Sequence, residues 1–190
     1  MAPAHPPLPP PREPGRPYRV CLVCLGNYCR SPMGETVLRG YLAGAGLGGA
    51  VVVDSAGTGD WHVGQPMNAM ARQALARRGY DGSAHRGRQL KPSWLAERDL
   101  FLAMDAGNLA TLRRMAGRAD DARIQLFGQA GGLSAHGGEV PDPYGGNAGE
   151  YDHALDLLTA AAPVIAARLT ELLEPAAPDG LDPKSPEAAG

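Results

Sequence analysis

Net charge is nearly absent. Eighteen Lys and Arg stand against 20 Asp and Glu, leaving a formal charge of −2 over 190 residues. Such a balance gives no support to a broad electrostatic footprint for nucleic acid or an anionic membrane. Lysine is scarce, with only Lys91 and Lys184, and the arginine excess matches the codon bias of an Ala/Gly/Pro-rich chain. There are three cysteines, Cys21, Cys24 and Cys29, all within nine residues, which excludes a disulfide scaffold. No apolar run is long enough to span a bilayer. The Pro-rich start lacks the apolar core of a secretory signal. A water-soluble protein of the reducing cytoplasm is the expectation.

Proline is unevenly spread. Eight of 18 fall in residues 1–17 and four in residues 175–190, leaving six for the 157 residues between. The composition predicts disordered tails over 1–17 and 175–190 around one globular domain, 18–174.

Within that domain, apolar runs alternate with helical periodicity. Strands are predicted at Tyr18–Val23, Val51–Val53, Asp99–Ala103 and, more weakly, Ile124–Phe127. Helices are predicted from Ser31–Pro32 to the glycines near 44, over Asn68–Arg78 with Gly79 as stop, over Asn108–Ala116, and over a long final stretch kinked by Pro163. Ser31 reads as the first helix's cap and Pro32 as its first turn. Strands alternating with helices imply an α/β fold, a parallel sheet with helices on both faces.

The chemistry concentrates in Cys24-Leu25-Gly26-Asn27-Tyr28-Cys29-Arg30-Ser31, between the first strand and first helix. A strand-to-helix turn aims backbone N–H groups and a helix N-terminus at one point, which suits an anion such as phosphate. Arg30 offers a planar fork for two phosphate oxygens. Cys24 would face the phosphorus, and the donors that cradle the anion also favour a thiolate nucleophile. Ser31 can donate to that sulfur. Asp142, in a Gly/Pro-rich loop, is the candidate general acid and base, with Trp61 and Tyr144 as rim residues for an aromatic leaving group. Cys21 reads as core: positions three apart on a strand face opposite sides, so Cys21-x-x-Cys24 is no redox or zinc pair. His62, His136 and His153 are given no role and read as loop or surface residues. Gly44-Ala45-Gly46-Leu47-Gly48-Gly49 matches G-x-G-x-x-G but follows a helix and precedes a strand, the wrong polarity for a dinucleotide.

Cys24 to Ser31 with Pro32-Met33, then Asp54-Ser55-Ala56-Gly57-Thr58, then Asp142-Pro143-Tyr144 resembles the low-molecular-weight protein tyrosine phosphatases, chiefly the bacterial type. The resemblance covers roughly Tyr18 to Leu173. It implies a flavodoxin-like four-stranded parallel sheet, order 2-1-3-4, and hydrolysis of phosphotyrosine through a cysteinyl-phosphate. Cys24 is then nucleophile, Arg30 phosphate binder and Asp142 acid. Asn27, Ser31, Ser55 and His85 are implied as a polar network holding the loop. Neither metal nor other cofactor is implied. The implied partner is a phosphotyrosine protein, with no nucleic acid or membrane, and a monomer is expected. Cys29 reads either as a residue backing the pocket or, as the resemblance implies, as the partner in a reversible Cys24–Cys29 disulfide guarding the nucleophile against over-oxidation.

Two departures bear on substrate. Family members often carry two aromatics after Asp-Pro, whereas Tyr144 is followed by Gly145, as in an arginine-phosphatase branch. Tyr28 occupies a position commonly Ile, and Thr in that branch, so its bulk favours phosphotyrosine. Three alternatives stand beside this reading: a protein arginine phosphatase, an arsenate reductase, and a phospho-residue binding module without turnover. The second requires resolving cysteines far downstream, and no cysteine follows Cys29.

Overall fold

A computed structural model describes residues 5–174. The 175–190 tail expected from composition lies outside the described residues.

Four parallel strands form one sheet: β1 (Tyr18–Cys24), β2 (Val51–Gly57), β3 (Leu100–Ala103) and β4 (Ile124–Leu126), in the order β2-β1-β3-β4. This is the expected 2-1-3-4 order. β1 is central and buried from Val20 onward, as its continuous apolar run requires. Its pairing with β2 sets Leu22 beside Ser55 and Cys24 beside Gly57.

The helices are α1 (Arg30–Gly44), α2 (Ala69–Arg77), α3 (Trp94–Glu97), α4 (Ala106–Ala116), α5 (Phe127–Ala130) and α6 (Ala148–Leu173). One core layer joins Val20, Leu22 and Cys24 to α1, α2, α5 and α6. The other joins Cys21, Val23, Phe101 and Ala103 to Leu95 of α3 and Leu112 of α4. Cys21 and Cys24 therefore lie on opposite faces of the sheet. Burial, then Asp54, pushes the Cys21 thiol well above its ordinary range, as befits a small core residue.

Several boundaries depart from the sequence reading. β2 runs on through Ser55 to Gly57, and α3 falls where no helix was expected. α1 begins at Arg30 with Cys29 at its N-cap and no side-chain cap; Ser31 falls inside the first turn, its hydroxyl engaged with Asn27 and the Cys24 sulfur. α2 is capped by Asn68, whose side chain accepts from Met70 N and Ala71 N. α6 runs unbroken through Pro163, with Ala161, Ala162 and Ile165 buried around it. Packing of that face offsets the missing donor.

The expectation of a disordered 1–17 tail does not hold for residues 5–17, which pack across the end of the sheet where the strands begin. Prolines lack N–H groups but keep carbonyls, and those carbonyls are used. Arg168 Nη2 donates to Pro6 O (2.5 Å), Gln125 Nε2 to Pro7 O (2.8 Å), Tyr18 OH to Pro9 O (2.9 Å) and Arg123 Nη1 to Pro10 O (3.0 Å). Leu8 packs against the core. Arg12 donates through its backbone N to Asp99 (2.6 Å) and through its side chain to Arg98 O, Leu95 O and Asp120. The composition reading took proline density as a mark of disorder; proline's fixed φ also lowers the entropy of ordering such a segment.

Candidate active site

At the opposite end of the sheet, where the strands finish, residues 24–31 curl from β1 into α1. Asn27 takes φ +52°, a left-handed conformation open to asparagine. The loop's carbonyls turn outward: Cys24 O accepts from Thr58 N, Leu25 O from Gly59 N and Tyr28 O from Asn68 N. Among the described residues, no group accepts from the amides of Leu25, Gly26, Asn27, Tyr28 and Cys29. Carbonyls out and amides free is the arrangement of an anion cradle at a helix N-terminus. The loop packs so closely on β2 that a methyl at Gly57 would sit 2.8–2.9 Å from backbone atoms of residues 25–27.

A directional hydrogen-bond chain holds the cradle from behind. Asn27 is fully buried, and its Nδ2, a donor only, reaches Ser31 Oγ (2.9 Å) and Ser55 Oγ (2.8 Å). Both hydroxyls must accept there, which frees their own protons. Ser55 donates to Glu35 Oε2 (2.5 Å). Ser31 lies 3.0 Å from Cys24 Sγ, nearer than its other acceptor, Ala56 O, at 3.4 Å. Asn27 Oδ1 accepts from Arg88 N (2.8 Å), and Asn27 O lies 3.0 Å from His85 Nε2. Burial holds the His85 imidazole below its ordinary range despite the Asn27 carbonyl and Glu35, so it is neutral at neutral pH. The four residues expected as a network are thus together, and two further members join them. Glu35, ion-paired with Arg39 (2.7 Å), was given no part in this network by the sequence. Arg88 contributes a backbone donor, which no side-chain pattern reveals.

Arg30 is almost wholly buried. Its Nη2 meets Asp142 (2.8 Å), and its Nη1 meets Asp105 (2.6 Å) and Val140 O (3.1 Å). Burial works against its charge, but Asp142, Cys24 and Asp105 outweigh that and hold the guanidinium protonated. Asp105, which also caps α4 by accepting from Asn108 N, was not singled out in the sequence. Its place just past the end of β3, where α/β sheets gather their sites, is the feature that could have found it. Cys29 is buried beside Tyr151 OH (3.8 Å), and burial pushes its thiol up to about 12.

Above the loop opens a cavity of about 320 Å³, lined by Cys24, Arg30, Asp142, Tyr28, Trp61 and Tyr144 among others. His62 lines it too, which corrects its reading as a solvated loop residue. Its ring lies face to face with Tyr28, centroids 3.8 Å apart and 5° from parallel. Tyr144 stands edge-on to both rings at about 6 Å. Among the described residues no cluster of three or more His, Cys, Asp or Glu could hold a metal ion, and no helix is long and apolar enough to cross a membrane.

Residues 19–174 match the family model described as low molecular weight phosphotyrosine protein phosphatase. A low molecular weight protein-tyrosine-phosphatase of Streptomyces coelicolor is 43% identical over 159 residues, covering 83% of this chain and 96% of that one. Among solved structures, YfkJ from Bacillus subtilis superposes with a TM-score of 0.77 at 33% identity, covering 84% of this chain and 98% of that one. Vibrio vulnificus Wzb in complex with benzylphosphonate superposes at 0.67 and 30% identity, covering 79% and 97%. The chain belongs to the low molecular weight phosphotyrosine protein phosphatase family, and it is a phosphatase.

Proposed function

We propose that this enzyme hydrolyses phosphotyrosine in proteins through a cysteinyl-phosphate on Cys24, without a metal. The observation that carries the reading is the run of unpaired amides at residues 25–29, in a loop that lines one cavity together with Cys24 and Arg30. The amides and guanidinium take the phosphate oxygens and stabilise the charge that spreads over them in the transition state. The Cys24 thiolate attacks phosphorus in line as the ester oxygen departs. Asp142, parted from Arg30 as phosphate arrives, takes up a proton from solvent and gives it to that oxygen. In the second step Asp142 takes a proton from water as it attacks phosphorus, and the Cys24 sulfur leaves with the Ser31 hydroxyl donating to it. Asn27, Ser55, Glu35 and His85 act as positioning residues, fixing Ser31 and the loop.

The wall formed by Tyr28, His62 and Tyr144 favours a flat aryl group over an aliphatic one, and the benzyl group of the Vibrio relative's ligand is of that kind. Gly145, open and at φ +81°, leaves one side of the mouth unwalled and supports phosphoarginine as the second reading. Side-by-side kcat/KM on a phosphotyrosine and a phosphoarginine peptide, in EDTA with Cys24→Ser as blank, decides. Preference for phosphotyrosine is expected. Preference for phosphoarginine would transfer the assignment, and binding without turnover would make the protein a phospho-residue binding module.

A further inference from the structure

Among the described residues few large apolar side chains face solvent, and three that do ring the cavity mouth: Leu25, Trp61 and Tyr144, exposed by 48%, 65% and 62%. Val63, 54% exposed, follows close behind on the loop that carries Trp61. Trp61 is held there rather than trailing in solvent, since its indole packs so closely on Gly59 that a methyl at that glycine would overlap it. Exposed apolar surface gathered in one place marks a binding surface. The charges around the mouth are one-sided. Arg30 is at the floor, buried and engaged by Asp105 and Asp142, and Asp142 is partly exposed above it. Apart from the His62 imidazole, no other titratable cation lines the cavity.

From these observations we infer that the rim is a docking surface for the substrate chain on either side of the phosphorylated residue, and that it selects apolar neighbours over acidic ones. The inference rests on the phosphotyrosine reading above. Its warrant is continuity: Leu25, Trp61 and Tyr144 line the same cavity as Cys24, so a phosphorylated side chain seated on Cys24 brings the adjoining residues of its protein against them. An apolar neighbour there removes its own surface and the indole's from water. An acidic neighbour meets apolar rings and the Asp142 carboxylate, with no exposed lysine or arginine in the cavity lining to receive it.

Matched phosphotyrosine peptides flanked by Leu, Ala or Glu test this, with p-nitrophenyl phosphate as a substrate that has no neighbours. The expected kcat/KM order is Leu over Ala over Glu, with on the order of tenfold between the extremes, read mainly in KM. Trp61→Ala should bring the Leu-to-Ala ratio close to one. Equal values for the three peptides would overturn the inference while p-nitrophenyl phosphate turnover left the phosphatase reading standing. A Leu peptide no better than Ala would reduce the effect to repulsion of acids and overturn apolar docking. A Leu preference intact in Trp61→Ala and also in a Leu25→Ala/Trp61→Ala/Tyr144→Ala triple variant would overturn docking on the rim. Concentration-dependent dimerisation by light scattering, lost in Trp61→Ala and unaccompanied by any peptide preference, would make the rim a self-association surface instead. No turnover of any substrate would overturn both readings.

Discussion

The two ends of the sheet use the same materials for opposite purposes. Where the strands begin, Arg12 and Asp99 sit in a web in which donors and acceptors are spent on one another. Asp99 takes the N–H of Arg12 and of Arg19, and the Arg12 guanidinium reaches three oxygens. Where the strands end, Arg30 and Asp142 also pair, but the neighbouring amides of residues 25–29 remain unpaired. A saturated polar cluster stabilises; one with its donors held open keeps interaction energy available for a transition state. In the saturated web only Arg12 lies ahead of position 19, where the family match starts; its partners, like every group of the open cluster, lie within the match.

The comparison breaks most sharply at Cys24. Cys24→Ser should lower kcat on an aryl phosphate on the order of 10⁴–10⁶-fold and leave thermal unfolding nearly unchanged. Loss of fold instead would show that the open end is also a structural one. Asp142→Ala should cost about 10²–10⁴-fold on a phosphate ester of a weakly acidic phenol. The cost should shrink when the leaving group is as acidic as p-nitrophenol, and equal losses on both would remove Asp142 from the role of acid.

The saturated end gives smaller and complementary effects. Arg12→Ala strips partners from Asp120 and two carbonyls, while its backbone N–H still serves Asp99, and should lower stability by about 1–3 kcal/mol, visible as a fall of about 2–4 °C in Tm per kcal/mol. Turnover of p-nitrophenyl phosphate at 25 °C should not change; a matching fall in kcat would mean the two ends are coupled. The smallest effect concerns His85. Its protonation range is lowered by burial, so the folded state resists taking a proton. The stability it contributes is whole above the ordinary histidine value of about 6.5 and is lost as pH falls through the lowered value. The Tm difference between wild type and His85→Asn should therefore narrow as pH drops across that window. A difference constant with pH would place the contribution of His85 elsewhere.

What sequence could reveal followed from contiguity. Strands β1 and β3, helix α4, and the Cys24-to-Ser31 loop each declare themselves in a few consecutive residues, and strand–helix alternation dictates the parallel sheet. Ser55, Asp142, Trp61 and Tyr144 came through the resemblance or through loop composition. What stayed hidden depends on register or distance. Glu35 meets Ser55 only because α1 packs on β2, with Ser55 level with Leu22. His62 shows its role only once the loop after β2 folds back over Tyr28. The order in residues 5–17 rests on arginine and glutamine donors more than 100 positions away. A proline-rich composition carries no trace of them.

The central claim is that the phosphoryl group passes through the Cys24 sulfur. Asp142→Ala is the enzyme in which to see it. With p-nitrophenyl phosphate the first step needs little help, while water attack lacks its base. Acid-quenching that variant during turnover and mapping its peptides by mass spectrometry should place a phosphoryl group on Cys24, and Cys24→Ser should carry none. Steady turnover with no phosphorylated enzyme, or with phosphate on another side chain, would contradict the account.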